Sequence, residues 1–328
     1  MAATPKKRVL VTGAGGFAGS HLVDLLVNEG HEVIGTLSPQ DGVENLKRHG
    51  RRITRRRCDI TNSQAVSRLL KDIRPHWVFH LAAFASVGRS FGAERLTYEV
   101  NLLGSLNVLE AAAATKHLER LIVIGSADSY GTFSPRTKLL RESQPFNPIS
   151  PYGISKAALE RMARQHAAQR GAPVVIARPF NHTGPRQSDT FALPSFCRQI
   201  AEIELGRAPD ILQVGDLTVR RDMSDVRDIV RGYVACAERG KIGEAYHLCS
   251  ERAVSLRRML DILLKSATRR IRVKVDQSRL RAADIPVLRG SAARARRELG
   301  YRPRYTLAQT LADSLEYWRD RVADTARR

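Results

Sequence analysis

Short runs of apolar residues alternate along the first half of the chain with longer segments of mixed polarity. The runs RVLVTG, HEVIGTL, HWVFHLA, RLIVIGS and PVVIARP each have the length of a buried strand, and AYHLCS repeats the pattern much later in the chain. The segments between them have helical length and periodicity. This alternation predicts an α/β fold, a doubly wound parallel sheet covered by helices on both faces.

The pattern changes near Asn181. Beyond this residue, helices and short strands are interrupted by many Pro, Gly and Arg residues, which predicts a smaller α/β domain that caps the first. Because AYHLCS again resembles a strand of the main sheet, we expect the chain to return there in a segment near 225–265. The predicted boundaries are 1–180 for the sheet domain and 181–328, for the most part, for a substrate-binding cap domain.

A glycine-rich turn joins the first predicted strand to the first helix, in VLVTGAGGFAGSHLVDLL. Gly13, Gly16 and Gly19 form the pattern G-x-x-G-x-x-G. Glycine permits a tight turn and lets backbone N–H groups approach a pyrophosphate at a helix N-terminus. Because the motif lies between a strand and an amphipathic helix, it predicts a Rossmann-like domain that binds NAD or NADP.

The residues after the second strand bear on which dinucleotide binds. A site committed to NAD places Asp or Glu there, on the ribose hydroxyls, whereas this chain has Leu37 and Ser38. Neither residue repels a 2′-phosphate, so the sequence favours NADPH, or tolerance of both NADPH and NADH. At the end of the third strand, Asp59 and Ile60 are candidates for contact with the adenine. Asp59 could equally cap the helix that follows.

Two pairs of residues are candidates for catalysis. Tyr152 and Lys156 in SPYGISKAALERMA are four residues apart, on one face of a helix predicted to begin at the S-P dipeptide. An ammonium beside a phenol favours the phenolate, so we expect Lys156 to lower the pKa of Tyr152 and fit it for acid or base catalysis. Ser126 and Asp128 in GSADSYG are two residues apart, so on extended backbone both side chains point the same way.

The net charge of +21 leaves several classes of partner open. A basic chain attracts nucleic acid, anionic surfaces or small anionic ligands. The arginines are spread over the whole length and only 6% of the residues are aromatic, so few rings are available to stack on bases. We therefore expect an arginine-rich surface that attracts phosphorylated small molecules, and no nucleic-acid role. The run RRITRRRCD is expected at a sheet edge, where charge blocks edge-to-edge pairing, with a ligand role as the alternative.

Four cysteines, Cys58, Cys197, Cys236 and Cys249, are scattered along the chain without a C-x-x-C pair. We therefore expect free thiols, with neither disulfides nor a metal site. No apolar run approaches the roughly 18 residues that span a bilayer, and MAATPKKR lacks the apolar core of a secretory signal. These features predict a cytoplasmic protein without a membrane partner.

The glycine turn, the GS at a strand end and the Y-x-x-x-K pair together make the chain resemble the extended short-chain dehydrogenase/reductase family over essentially its whole length. HLAAFASV is similar to the family's fourth-strand segment, and NLLGSLNVLEAA carries its helix asparagine. The resemblance implies an NAD(P)H-dependent oxidoreductase and a homodimer. It implies that Ser126 holds the substrate oxygen, that Tyr152 is the acid or base, and that Lys156 supports it. Further cofactor contacts implied by the family are Phe17, Ala18, Leu81, Ala82, Ala83, Asn101, Tyr152, Lys156 and Pro179.

The second half of the chain resembles the nucleotide-sugar branch of that family through RPFNHTGP, VGDLTVRRDMSDVRDIVRGY and EAYHLCS. More narrowly, it resembles the reductases that form GDP-D-rhamnose, which implies a GDP-sugar substrate. Asn181 would then contact the pyrophosphate or sugar, and Arg221 and Arg281 the diphosphate. Arg186 is a further substrate-binding candidate, although these reductases are expected to have glycine there and related dehydratases tend to have arginine nearby. Arg221 could instead form an ordinary surface ion pair with Asp222.

Asp128 bears on the type of reaction. Related dehydratases typically have Glu at this position, and a displacement of about 1 Å at a reacting centre can cost on the order of a hundredfold in rate. A simple reductase needs no carboxylate there. The sequence therefore favours reduction of a C4 ketone. A GDP-mannose 4,6-dehydratase and a nucleotide-sugar 4-epimerase are the enzymatic alternatives, and a non-catalytic redox-sensing or nucleic-acid-binding family member is the remote one.

Overall fold

The structure is a computed structural model that describes residues 6–40, 42–133, 139–280 and 285–325 of the 328-residue chain. Its strands are β1 Arg8–Thr12, β2 Glu32–Leu37, β3 Ile53–Arg57, β4 Trp77–His80, β5 Arg120–Ile124, β6 Val174–Pro179, β7 His182–Thr183, β8 Ile211–Val214, β9 Arg220–Asp222, β10 Ser224–Asp225, β11 Ala245–Leu248, β12 Ala253–Ser255, β13 Arg272–Val275 and β14 Val287–Leu288. Its α-helices are α1 Phe17–Asn28, α2 Ser63–Ile73, α3 Val87–Ser90, α4 Glu94–Tyr98, α5 Ser105–Ala113, α6 Pro151–Arg170, α7 Ala192–Glu204, α8 Val226–Arg239, α9 Leu256–Lys265, α10 Ala293–Leu299 and α11 Leu307–Thr325. Short 3₁₀ stretches occur at Glu44–Arg52, Ala127–Tyr130 and Gln277–Arg279, and a π-helical stretch at Glu99–Gly104.

The chain divides into two compact units that interleave in sequence. The first unit comprises Met1–Pro179, Val230–Leu248 and Ser291–Arg302, and the second comprises Phe180–Ile229, Cys249–Gly290 and Pro303–Arg328. The chain therefore returns to the first unit twice. The second return carries α10, whose seven residues are too few to give a clear periodic signal in the sequence.

The first unit is built on a parallel sheet with the strand order β11-β6-β5-β4-β1-β2-β3 among the described residues. Each neighbouring pair in this order is parallel. The strand order reverses between β1 and β4, and in sheets of this type ligands bind outside the carboxyl ends of the strands at that reversal. The sheet confirms the predicted doubly wound α/β architecture, including AYHLCS as the strand that returns beside β6.

The central strands are buried on both faces, which explains why they read as unbroken apolar runs. Every residue of β4 and β6 is buried. On one face, Leu10, Val78, Leu121 and Ile176 share a core cluster with apolar residues of α2 and α5. Complete burial of side chains of this size contributes about 1.5–3 kcal/mol each. In contrast, β3 is the last strand of the sheet and its four residues after Ile53 are exposed, as predicted for an arginine-rich edge.

The second unit has short strands and three packed helices. Strand β9 pairs antiparallel with β12 and parallel with β14, and separate two-stranded ladders join β8 to β13 and β7 to β10. Its apolar core lies among α7, α9 and α11 and includes Phe196, Ile200, Leu260, Leu315 and Trp318. This is the mixed α/β composition that was predicted for the smaller domain.

The cysteines Cys58, Cys197, Cys236 and Cys249 are free and buried. Within the residues that the structure describes, no helix combines the length and hydropathy that crossing a membrane requires. The same residues contain no cluster of three or more His, Cys, Asp and Glu side chains arranged to hold a metal ion.

Candidate active site

The turn between β1 and α1 requires glycine at Gly13 and Gly19, two of the three positions that the sequence indicated. Gly13 has φ +67°, and a Cβ added there would lie 2.8 Å from a backbone nitrogen just beyond β4. A Cβ on Gly19 would collide with the carbonyl oxygen of Gly13. Gly16 is the N-cap of α1 and provides no side-chain cap, so the N–H groups of Phe17 and Ala18 begin the helix without one. This arrangement fits the pyrophosphate of a dinucleotide.

A chain of buried polar side chains fixes the segment after β4, and sequence reasoning missed it. Thr12 Oγ1 lies 2.9 Å from His80 Nδ1 and accepts a hydrogen bond from Ala82 N at 3.2 Å. His80 Nε2 lies 2.9 Å from Ser105 Oγ. Burial, aided by a nearby ammonium, lowers the pKa of His80 to about 3, so the ring is neutral and has one donor and one acceptor nitrogen. The predicted cofactor segment Leu81–Ala83 follows this anchor directly.

Asn101 acts as a brace in the structure. Its Oδ1 accepts a hydrogen bond from Phe84 N at 2.8 Å, and its Nδ2 donates to Phe84 O at 3.2 Å and to Ser155 Oγ at 2.9 Å. The side chain is completely buried in the π-helical stretch. Because both amide hydrogens are bound by protein groups, Asn101 positions the segment after β4 against helix α6. The direct cofactor contact expected of Asn101 stays a prediction beside this bracing role.

The ends of β2 and β3 carry the other predicted adenosine contacts. Ser38 directly follows β2. Asp59 Oδ1 accepts hydrogen bonds from the N–H and the hydroxyl of Thr61, at 2.9 and 2.8 Å. The side chain that caps α2 is Asn62, so the interpretation of Asp59 as a helix cap is wrong and its carboxylate instead stabilises the preceding turn. Ile60 is buried beside it.

Ser126 and Asp128 are brought together by a turn. Strand β5 ends at Ile124, Ser126 is extended, and a 3₁₀ turn begins at Ala127. Ser126 Oγ donates to Asp128 Oδ2 at 3.1 Å and accepts from Asp128 N at 3.1 Å. The expectation that an extended segment aligns the two side chains is wrong, because the serine caps a turn that carries the aspartate back towards it.

Tyr152 and Lys156 lie on α6, which begins as predicted. Ser150 is the N-cap and accepts a hydrogen bond from Gly153 N at 3.0 Å, with proline at the first helical position. Lys156 Nζ donates to the carbonyl oxygen of Ile124 at 2.9 Å and lies 5.9 Å from the centroid of the Tyr152 ring. The lysine therefore connects α6 to the end of β5, next to Ser126.

The pKa of Tyr152 differs from the sequence-based expectation. Burial and the negative charge of Asp128 raise the pKa of the phenol, while a hydrogen bond with Ser126 opposes them. Burial lowers the pKa of Lys156 to about 8, against the attraction of Glu160. The pKa of Tyr152 is therefore raised and not lowered as expected, because removal of the phenol from water and a close carboxylate both disfavour the phenolate.

A buried ionic network lies one helical turn beyond Lys156. The carboxylate of Glu160 accepts hydrogen bonds from Arg178 Nε and Nη2 at 2.8 and 2.6 Å. Arg178 also donates to the hydroxyl of Tyr130, which lies 2.6 Å from His247 Nε2. A Cβ on Gly125 would collide with the Glu160 carboxylate, so the glycine before Ser126 makes room for this ion pair. The partners of Glu160 are 18 or more residues away in sequence, so no local spacing in the sequence indicated this network.

The predicted substrate residues lie in the second unit. Asn181 Oδ1 is buried and has no hydrogen-bond partner among the described residues. Arg186 has φ +74°, and burial lowers the pKa of its guanidinium to about 10. Arg221 Nη1 donates to the carbonyl oxygens of its neighbour Arg220 and of Ile285, at 3.0 and 2.6 Å.

The alternative surface pairing of Arg221 finds no support in the contacts of Asp222. Asp222 is fully buried and accepts hydrogen bonds from the N–H and the hydroxyl of Ser250, at 2.7 and 2.6 Å. It follows Arg221 directly in β9, so the two side chains point to opposite faces of the ladder. Arg281 lies outside the described residues.

Comparisons with known proteins find relatives that match nearly the whole chain. A family model described as GDP-mannose 4,6 dehydratase matches residues 10–314. GDP-6-deoxy-D-mannose reductase of Pseudomonas aeruginosa is 32% identical over 318 residues, which are 97% of this chain and 99% of that protein. The structure of RMD from Pseudomonas aeruginosa complexed with NADPH has a TM-score of 0.84 and 31% identity, covering 96% of this chain and 100% of that one.

A UDP-glucuronic acid 4-epimerase from Bacillus cereus, in complex with UDP-glucuronic acid and NAD, is also similar. Its TM-score is 0.84 at 29% identity, and the match covers 95% of this chain and 99% of that one. The relatives therefore include both reductases and epimerases. The family model matches most of the chain, and one relative is more than 30% identical over nearly all of it. The chain therefore belongs to the GDP-mannose 4,6-dehydratase family of extended short-chain dehydrogenases/reductases.

Proposed function

We propose that this protein reduces the C4 ketone of GDP-4-keto-6-deoxy-D-mannose to form GDP-D-rhamnose, with NADPH or NADH as the reductant. Its similarity to the reductase of Pseudomonas aeruginosa supports the substrate class. Nucleotide-sugar relatives solved with NADPH and with NAD support a nicotinamide cofactor. The observation that carries the proposal is the similarity, over 97% of this chain, to GDP-6-deoxy-D-mannose reductase.

A reductase begins its cycle with a protonated tyrosine. Burial and the charge of Asp128 raise the pKa of Tyr152, so the phenol holds its proton at neutral pH. The 4,6-dehydratase and 4-epimerase reactions begin with removal of the C4 hydroxyl proton, for which the phenolate is needed. The charge of Asp128 therefore favours the reductive direction at this site.

The geometry of Asp128 supports the same direction. A dehydratase needs a carboxyl group that reaches the C5 proton and the C6 hydroxyl. In this site the carboxylate is short and is held in a turn by its bond to Ser126 Oγ. Related dehydratases typically have the longer glutamate at this position.

The catalytic residues of the first unit have distinct roles in the proposed reaction. When bound, NAD(P)H supplies the hydride that the C4 carbon accepts. When substrate binds, Ser126 turns its single O–H donor from Asp128 to the C4 oxygen and stabilises the negative charge that develops there. Tyr152 gives its proton to that oxygen, which completes the hydroxyl. Lys156, held by the Ile124 carbonyl, places a positive charge near the phenolate that remains until solvent restores its proton.

The glycine turn would hold the cofactor, and the second unit would hold the nucleotide sugar. Gly13, Gly16 and Gly19 leave backbone N–H groups open to the pyrophosphate. The orphan Oδ1 of Asn181 is an acceptor, so it is matched by a sugar hydroxyl and not by a phosphate oxygen. Arg186, Arg221 and Arg281 are the proposed ligands of the GDP phosphates. This remote binding energy helps to orient C4 for reduction.

The proposed reaction is tested by product analysis. The protein is supplied with GDP-4-keto-6-deoxy-D-mannose and either NADPH or NADH, and the C4 configuration of the product is read by NMR. We expect GDP-D-rhamnose and stoichiometric oxidation of the reductant. With GDP-mannose alone we expect no reaction. Formation of the 4-keto sugar from GDP-mannose without added reductant would instead identify a dehydratase.

The role of Tyr152 is tested with Tyr152→Phe. Loss of a positioned general acid lowers kcat by about 10²- to 10⁴-fold, while the Kd for NADPH should stay within a factor of about two because the phenol oxygen makes no pyrophosphate contact in this scheme. Retention of most of the kcat by this variant contradicts the assignment.

Two further attributes belong to the proposal. We propose a homodimer that covers exposed apolar side chains of the first unit, among which Phe91, Leu96, Leu103 and Ile154 are 52%, 46%, 57% and 42% exposed. Sedimentation should give a dimer for the wild-type protein and a monomer for Leu103→Glu.

We also place the protein in the cytoplasm, because its four cysteines are free and buried and a reductase needs a steady supply of reduced nicotinamide.

A further inference from the structure

The carboxyl end of β2 lies against the glycine turn. Ala14 N donates to Thr36 O at 3.0 Å, and a Cβ on Gly15 would collide with Leu37 Cδ2. In a doubly wound sheet that binds a dinucleotide at the turn after β1, this end of the second strand receives the adenosine ribose. The residues around Leu37 therefore determine whether the site favours a ribose 2′-hydroxyl or a 2′-phosphate.

The side chains that directly follow β2 do not supply this recognition. Ser38, Pro39 and Gln40 come next in the chain, and none of the three has a charged side chain; Asp41, which follows them, lies outside the described residues. A carboxylate here would bind the ribose hydroxyls of NADH and repel a 2′-phosphate. With these residues alone, the site would distinguish NADPH from NADH only weakly.

A guanidinium from the neighbouring strand reaches this position. In the parallel register of β2 and β3, Arg57 is the partner of Leu37, the last residue of β2. Arg57 Nη1 donates to the carbonyl oxygen of Ser38 at 2.6 Å and to that of Pro39 at 2.9 Å. These bonds orient an exposed positive charge over the carboxyl end of β2.

The other arginines of β3 are placed differently. Arg55 lies on the same face of the strand but one pleat back, and its Nη2 donates to Gly50 O at 3.0 Å. Arg56 points to the opposite face of the strand. The charge over the end of β2 therefore comes from Arg57, whereas Arg55 and Arg56 serve as edge charges of the kind that blocks pairing.

We propose that Arg57 binds the 2′-phosphate of NADPH and makes the protein prefer NADPH to NADH. The residue that distinguishes NADPH from NADH then lies on the edge strand β3 and not among the residues after β2. The guanidinium fork matches the geometry of a phosphate, and the two carbonyl contacts reduce the entropy that the side chain loses on binding. The proposal depends on the proposed function only in requiring that a nicotinamide dinucleotide binds.

The test measures cofactor binding to the full chain without sugar. NADPH and NADH are titrated with nicotinamide fluorescence as the readout, and adenosine 2′,5′-bisphosphate and AMP are titrated by calorimetry. We expect wild-type protein to bind each 2′-phosphorylated ligand more tightly than its counterpart. Replacement of Arg57 with Ala should weaken binding of NADPH and of the bisphosphate by about 10- to 100-fold, the size of one charge-assisted hydrogen bond. Binding of NADH and AMP should change by less than about threefold.

Arg55→Ala and Arg56→Ala are the matched controls, because each removes one exposed arginine of the same strand. Both should retain the preference of the wild-type protein, and Arg57→Lys should recover part of what Arg57→Ala loses. Equal affinity of the wild-type protein for NADPH and NADH overturns the proposal, as does equal weakening of all four ligands by Arg57→Ala. Neither result depends on which sugar is reduced, so a failure here is distinct from a failure of the proposed reaction.

Discussion

Replacement of the buried lysine of the candidate active site should reveal how much its charge destabilises the fold. Lys156 is 4% exposed, and burial lowers its pKa from 10.5 to about 8. At about 1.4 kcal/mol per pKa unit, burial of the ammonium costs about 3 kcal/mol at neutral pH. We predict that Lys156→Met, which fills a similar volume without charge, recovers this cost and abolishes catalysis.

The stability difference between the wild-type protein and the variant should depend on pH in a defined direction. Below about pH 8 the amine is charged in the folded and unfolded states, so the wild-type protein bears the whole cost. Between about pH 8 and 10.5 the unfolded chain binds more protons than the folded chain, so wild-type stability rises with pH relative to the variant. Above this range the cost is gone. Loss of the hydrogen bond to Ile124 changes the free energy of unfolding of the variant by a constant amount. The pH-dependent part of the difference from wild type is therefore unaffected.

The two tryptophans of the chain make the measurement specific to the first unit. Trp77 lies in β4 and Trp318 in α11 of the second unit. In a Trp318→Phe background, urea unfolding followed by fluorescence reports on β4 alone. Lys71→Met, at an exposed position on α2, controls for the loss of one positive charge. From pH 7 to 10.5, the free energy of unfolding of the wild-type protein should rise by about 3 kcal/mol relative to that of Lys156→Met. A difference that stays constant to within about 1 kcal/mol refutes the reasoning, by the same linkage relation.

Further predictions concern the residues around that lysine. Glu160→Gln leaves the Arg178 guanidinium buried without its carboxylate and should destabilise the first unit by about 3–5 kcal/mol in urea unfolding, with partial recovery in the double variant with Arg178→Met. Asp128→Asn removes the charge that raises the pKa of Tyr152, so the alkaline limb of the kcat profile should move to lower pH; an unchanged limb would show that this charge does not reach the phenol. Gly13→Ala places a Cβ at a φ of +67° and 2.8 Å from a backbone nitrogen, and calorimetry should show weaker binding of both NADPH and NADH.

The apolar pattern predicted the fold well because the physical constraints on it are local and repetitive. Strands buried on both faces must be apolar throughout, and the β1 turn must contain glycine, so both features are visible in the sequence. The start of α6 was equally clear, because Ser150 and Pro151 are the residue types that a helix N-terminus selects. The short helix α10 gave no comparable signal.

The site was less predictable because its properties depend on residues that are distant in sequence. The pKa of Tyr152 is set by Asp128 and by the degree of burial, and neither can be read from the spacing of Tyr152 and Lys156. Asn101 was predicted as a cofactor contact, and its hydrogen bonds to Phe84 and Ser155, which give it a bracing role, were not predicted. These pairings arise only when β4, the π-helical stretch and α6 come together.

The second return of the chain, Ser291–Arg302, ties the cofactor-binding half of the protein to its late sequence. Ser291 N donates to Leu140 O at 2.8 Å, and Ala295 and Leu299 of α10 are completely buried. During synthesis, this half remains incomplete until the segment Ser291–Arg302 has left the ribosome. A nonsense mutation upstream of residue 291 would therefore damage nucleotide binding as well as the carboxyl-terminal region, and neither half can be expressed as one uninterrupted fragment.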